Sequence, residues 1–103
     1  MVEYIETLDN FLEIIKDEKL VIVDFTATWC GPCKRISPEF EKLALEHTDC
    51  VFKKVDVDEG VEIAEHCNIT SMPTFHFYKN DKLLHSFSGS NLETLIKTIN
   101  EHK

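Results

Sequence analysis

Cys30 and Cys33 stand two residues apart in Trp29-Cys30-Gly31-Pro32-Cys33, shortly after the apolar run Leu20-Val-Ile-Val-Asp-Phe25. Two thiols at this spacing serve reversible disulfide exchange or supply half of a zinc site. Their setting separates the two uses. The apolar run reads as a strand and the residues after Cys33 as a helix, so the pair falls where one hands over to the other. There the first thiol meets unpaired backbone N–H groups and the positive end of the helix dipole. That environment favours thiolate, the form that attacks disulfides. A zinc site would want a second close Cys or His pair. Cys50 and Cys67 are seventeen positions apart, and His66 adjoins Cys67 too closely for both to ligate one ion. No metal site is expected. Gly31 permits a tight turn, and Pro32 suits the first helical position, where a missing N–H costs nothing.

Asp24 is the second residue with chemistry in it. A carboxylate inside Val-Ile-Val-Asp-Phe is expected to be deeply buried, which is costly if it is charged and raises its pKa. Either the backbone or Lys54 satisfies it structurally, or it moves protons; raised proton affinities cluster where proton transfer is needed, which favours the second reading.

The elements that must position these groups follow from periodicity. Val2 to Ile5 is a short strand, and Thr7 or Asp9 caps a helix with Leu8, Phe11, Leu12 and Ile15 at helical spacing. Leu20 to Ala27 reads as a strand apolar on both faces except at Asp24. Cys33 to Glu46 returns to helical period through Ile36, Phe40, Leu43 and Ala44, with a kink expected at Pro38. Val51 to Val57 alternates as a strand, and Val61 to Cys67 forms a short helix. Thr74 to Tyr78 and Leu83 to Phe87 form a hairpin across Lys79-Asn80-Asp81-Lys82, where Asn and Asp tolerate left-handed backbone. Asn91 caps a last helix carrying Leu92, Leu95, Ile96 and Ile99. The order β-α-β-α-β-α-β-β-α demands an α/β fold whose mixed sheet has helices on both faces.

A chain of 103 residues with 43% hydrophobic and 29% charged residues is expected to form a single domain, 1–103, of ordinary globular type. Its net charge of −8 argues against nucleic acid and anionic membranes as partners. The charged first twenty residues fit no signal-peptide apolar region, and no apolar run is long enough to span a membrane. A cytoplasmic or nuclear location is expected, where disulfides are usually catalytic or transient. Phe11, Phe25, Phe40, Phe52, Phe75 and Phe77 read as core, and the five scattered histidines as surface residues.

The segments Val23-Asp-Phe-Thr-Ala-Thr-Trp-Cys-Gly-Pro-Cys-Lys34, Val55-Asp-Val-Asp58, Met72-Pro-Thr-Phe75 and Phe87-Ser-Gly89 resemble the thioredoxin family over nearly the whole chain. The resemblance implies the thioredoxin fold, a central mixed five-stranded sheet flanked by four helices. It implies a general protein-disulfide reductase with no bound cofactor, recharged with electrons from NADPH by a separate flavoprotein, thioredoxin reductase. Peroxiredoxins, methionine sulfoxide reductases and ribonucleotide reductase are the implied partners. By the same resemblance Cys30 attacks the substrate disulfide, Cys33 resolves the mixed disulfide, and Gly31-Pro32 between them points to a reductant. Asp24 matches an aspartate that deprotonates the second cysteine, through water, with Lys54 as its electrostatic partner. Pro73 matches a cis-proline opposite the dithiol, which exposes the Met72 backbone to an incoming strand. Trp29, its indole held by Asp58, joins Ile69, Met72 and the Gly89 loop in the substrate-binding rim.

The chain departs from the family at Ser71, where many vertebrate members carry cysteine, and at Asp81, where many carry glycine. Cys67 matches an extra cysteine of animal forms and reads as a buried inert thiol or a regulatory one. The rival function is a binding or regulatory subunit of the same fold that works without redox turnover.

Overall fold

The central strand of the sheet is apolar on both sides, and the rest of the architecture follows from covering it. In the computed structural model, which describes residues 1–103, the elements in chain order are β1 (Glu3–Tyr4), α1 (Leu8–Ile14), β2 (Val21–Thr26), α2 (Gly31–Glu46), β3 (Val51–Asp56), α3 (Val61–His66), β4 (Thr74–Lys79), β5 (Lys82–Ser88) and α4 (Leu92–His102). They form one five-stranded sheet in the order β1-β3-β2-β4-β5. β3 runs parallel to β1 and β2, while β4 runs antiparallel to β2 and β5. The expected mixed sheet with four helices is the fold observed.

Side-chain alternation along β2 divides the core in two. Ile22 faces a cluster with Ile36 and Phe40 of α2, Phe75 and Phe77 of β4, and Leu95 and Ile99 of α4. Val21, Val23 and Phe25 face the opposite cluster, with Phe11, Val55, Ile63 and Tyr78. All six phenylalanines read as core are buried.

Several boundaries move for identifiable reasons. Thr7 caps α1, its hydroxyl accepting from Asn10 N–H at 3.2 Å. α2 begins at Gly31 rather than Cys33, because Cys30 itself caps it. It runs unbroken through the expected kink at Pro38, which is exposed, so water can serve the carbonyl left without a helical donor. In α4 Ile96 is exposed rather than on the core face, and Thr98, on the opposite side of the Leu95–Ile99 stripe, is buried with its hydroxyl donating to Thr94 O at 2.7 Å.

The hairpin turns without glycine, as expected. Asn80 and Asp81 take φ of 53° and 70°, and their N–H groups donate to Asp17 O and Ile15 O, each at 2.9 Å. One expectation fails outright. His76 is buried rather than at the surface, because it lies on the sheet face that Phe11 of α1 and Ile63 of α3 help to cover, its ring 4.9 Å from that of Phe25. No helix is long and apolar enough to cross a membrane.

Candidate active site

Cys30 sits at the N-cap of α2, and Gly31, Pro32 and Cys33 form the first helical turn. The two cysteines are joined as a disulfide, with Cα atoms 5.3 Å apart. Cys33 N–H donates to Cys30 Sγ at 3.2 Å, so a helix-end donor that would otherwise be orphaned points at the first sulfur. Such a donor, with the helix dipole behind it, stabilises negative charge on Cys30 once the bond is reduced. The Met72 carbonyl oxygen lies 3.7 Å from the same sulfur, and the Met72–Pro73 peptide is cis. Cys30 thus stands between a helix N-terminus and the backbone that enters β4. Both cysteines are largely covered, Cys30 at 5% exposure and Cys33 at 2%. Their difference lies in neighbours more than in depth: Cys33 borders a polar cavity of about 120 Å³ that Ser37, Lys54 and Asp56 also line.

Asp24 is 1% exposed. Alternation puts it on Ile22's face of the sheet, the face that α2 covers. Its Oδ1 is buried with no hydrogen-bond partner. Burial pushes its pKa up to about 7; Lys54 pulls it down and Glu41 adds to the rise. The backbone therefore does not satisfy it. Nor does Lys54 by contact, although the two residues are register partners on β2 and β3. Lys54 Nζ instead donates to Ser37 Oγ at 2.8 Å and pairs with Glu41 Oε2 at 3.0 Å. Glu41 is held in turn by Val2 N–H, donating to Oε1 at 2.8 Å. Burial opposes its ionisation, but that bond and Lys54 bring its pKa below the usual range. Ser37 and Glu41 are absent from the sequence reading. Their signal was spacing: Cys33, Ser37 and Glu41 lie at i, i+4 and i+8, a polar line along one face of α2.

Of the residues expected to form a rim, Met72 packs with Val57 against the cluster of Ala27, Cys30 and Cys33. Trp29 is 65% exposed, its indole N–H donating to Asp58 Oδ2 at 2.9 Å, so the ring is fixed although it is open to solvent. Val57, Val61, Ala64, Ile69 and Met72 line a groove of about 460 Å³. Gly89 has φ of +109°, a conformation side chains rarely adopt, and its N–H donates to Pro73 O at 2.9 Å. Nothing stands within 4 Å of where a Cβ would sit there, so backbone shape and not crowding calls for glycine.

Away from this rim, Cys67 is half-buried, its sulfur 3.6 Å from Tyr78 Oη. Burial raises its pKa and the Tyr78 contact only partly offsets this, the condition of an unreactive thiol. Tyr78 Oη is also hydrogen-bonded to His76 Nδ1 at 2.9 Å, and burial holds the imidazole down at about 4, hence neutral. Burial likewise raises the Cys50 thiol. No three His, Cys, Asp or Glu side chains come together as a metal site would require.

The thioredoxin family model matches residues 2–101. Thioredoxin of Ictalurus punctatus is 51% identical over 107 residues, covering all of both chains. That of Gallus gallus is 50% identical over 101 residues and 96% of each chain. Among solved structures, Fasciola hepatica thioredoxin superposes with a TM-score of 0.96 at 41% identity, covering 99% of this chain and 100% of that one. A chain from a study of thiol resolution in yeast mitochondrial 1-Cys peroxiredoxin via glutathione/thioredoxin systems superposes at 0.93, with 38% identity over 97% of this chain and 94% of that one. Likeness on this scale carries the whole fold and its helix-capping dithiol together, and the chain belongs to the thioredoxin family of dithiol–disulfide oxidoreductases.

Proposed function

We propose that the protein works as a general protein-disulfide reductase in which Cys30 attacks and Cys33 resolves. The observation that carries the order is the N-cap: Cys30 Sγ receives the helix N–H of Cys33 at 3.2 Å, whereas Cys33 lies inside the first turn. In the reduced protein, the Cys30 thiolate attacks one sulfur of a partner disulfide. A Cys30–partner bond forms, and the partner's other sulfur leaves with the electron pair and takes up a proton. Cys33 then gives its proton to Asp24, through water, and its thiolate attacks Cys30 Sγ. The Cys30–Cys33 bond forms, the mixed disulfide breaks, and the partner leaves as a dithiol. Two electrons pass from the protein to the partner in each cycle.

The partner's chain lies against Trp29, Met72 and the groove past Ile69, with the Met72 backbone pairing it as an added strand would. A separate flavoprotein, thioredoxin reductase, restores the dithiol with electrons from NADPH. Peroxiredoxins, methionine sulfoxide reductases and ribonucleotide reductase, which form disulfides during turnover, are the natural recipients, in the cytoplasm or the nucleus. The peroxiredoxin subject of one close structural neighbour supports that class. The reading as a redox-independent binding subunit gains no observation of its own.

The test is NADPH consumption with thioredoxin reductase and a disulfide-bonded protein. Wild type should turn over and Cys30→Ser should not. Cys33→Ser should stop after one step, accumulating a reductant-sensitive adduct through Cys30. Turnover by Cys30→Ser, or an adduct through any other cysteine, would overturn the assignment.

A further inference from the structure

Asp24 and Lys54 face each other in register on adjacent parallel strands, yet they form no ion pair within 4 Å. An ammonium beside a buried carboxylate is its obvious neutraliser. The structure explains why it is not used. Lys54 Nζ is fastened to α2 by Ser37 Oγ at 2.8 Å and Glu41 Oε2 at 3.0 Å, and the Tyr4 ring lies 5.8 Å away on its other side. Glu41 is anchored by Val2 N–H, so the clamp is tied to the start of the chain. The remaining charged groups at the cavity are Lys34, which is exposed, and Asp56, whose Oδ1 already accepts from Asp58 N–H at 2.8 Å. From β4 and α4, this face of the sheet receives Phe75, Phe77, Leu95 and Ile99; α4 buries no charged side chain, and its one buried polar residue, Thr98, is spent on Thr94 O. Asp24 is thereby left with Oδ1 unpartnered.

We propose that Glu41 and Ser37 are positioning residues for the resolving step, holding the Lys54 ammonium on α2 so that Asp24 stays free to take the proton of Cys33. An Asp24 paired with Lys54 would be a stabilised carboxylate and a poor base near neutrality. With the clamp closed, the nearest cation is spent on Glu41, whose own negative charge opposes ionisation of Asp24. The proton of Cys33 Sγ then passes to the Asp24 carboxylate as the Cys33 thiolate closes the Cys30–Cys33 bond and the partner's sulfur leaves with the electron pair. This rests on the reading of Asp24 as proton acceptor given above, and goes beyond it by assigning what sets its strength.

The clamp and the reading are tested separately. The Asp24 carboxyl is titrated by carbon-13 NMR in the oxidised protein, as wild type, Glu41→Gln, Ser37→Ala, Lys54→Met and the double variant Glu41→Gln/Lys54→Met. Glu41→Gln should lower the Asp24 midpoint by about one pH unit as Lys54 turns to it, and the milder Ser37→Ala should move it the same way by less. In the Lys54→Met background, Glu41→Gln should lose most of its effect, since the device acts through the lysine. An unmoved midpoint in both single variants overturns the clamp, as does a shift that persists undiminished without Lys54. The rate of the resolving step is then followed against pH. Its midpoint should move with the NMR titration. A titration that shifts while the rate profile stays put overturns the clamp's part in resolution, and locates the failure in the role given to Asp24.

Discussion

A buried carboxyl whose pKa stands near 7 is a base matched to the pH at which it would work. Burying Asp24 with Oδ1 unpartnered costs the fold something, and the proposed role as that base gives the cost a use. An asparagine in its place would keep the shape but could not accept the proton. Asp24→Asn should therefore slow release of the partner from the Cys30 mixed disulfide by about a hundredfold at pH 7, in line with the loss of a general base. The first attack by Cys30 should be nearly unchanged. Rapid-mixing measurement of partner release checks this, and equal rates would take Asp24 out of the mechanism. Asp24 was legible because a charge inside an apolar run has few innocent explanations. The partner of Lys54 was not, since a lysine's reach leaves several anions open to it and only the packing of α2 on the sheet selects Glu41. His76 is illegible for a third reason: histidine as a type favours the surface, and only the helices packed on its face of the sheet bury this one.

Among the elements, α2 and the β4–β5 hairpin show how local chemistry sets geometry. The cap of α2 is Cys30, the proposed nucleophile, so the helix begins one residue after it, and no apolar periodicity in the sequence marks that start. The hairpin was readable because Asn80-Asp81 is the kind of pair that accepts two left-handed residues, and both are left-handed. Asp81, at φ 70°, carries a side chain in a conformation that costs non-glycine residues about 1 kcal/mol. Its N–H bond to Ile15 O belongs to the backbone and would survive substitution. Asp81→Gly should thus raise stability by at most about 0.5 kcal/mol, because the greater freedom glycine gains in the unfolded chain offsets most of the strain relieved. The midpoint of urea unfolding should rise with its slope unchanged; a lower midpoint would mean that the Asp81 side chain contributes more than its backbone conformation costs.

At the scale of the whole molecule, the sheet separates two titratable groups with opposite demands. Asp24 lies on the face covered by α2 and α4. His76 lies on the other face, its ring 4.9 Å from that of Phe25 and bonded to Tyr78. Element order and mixed sheet follow from the alternation of apolar periods, but the placing of one such group on each face emerges only from the three-dimensional packing. Asp24 goes from 3.8 to about 7 on folding. The folded protein holds a proton there that the unfolded chain releases, so stability is present below about pH 4 and is lost as pH rises through 7. That loss amounts to about 4 kcal/mol. His76 goes from 6.5 to about 4. Here the unfolded chain holds the extra proton, so stability is present above 6.5 and is lost as pH falls through 4, by about 3 kcal/mol. Between pH 4 and 6.5 the two slopes oppose and nearly cancel. Wild-type unfolding free energy should therefore vary little with pH across that interval as far as these groups control it. Asp24→Asn should expose the His76 slope, stability rising with pH by about 3 kcal/mol, and should leave the protein more stable than wild type at pH 7 although it resolves mixed disulfides more slowly. His76→Gln, which keeps a hydrogen-bonding group for Tyr78, should expose the reverse slope. Urea unfolding of the three oxidised proteins from pH 4 to 7 reads all of this directly. Parallel curves for wild type and Asp24→Asn would mean that Asp24 gains no proton on folding across this range, and its carboxylate would then be too weak a base to draw the proton of Cys33 near neutrality.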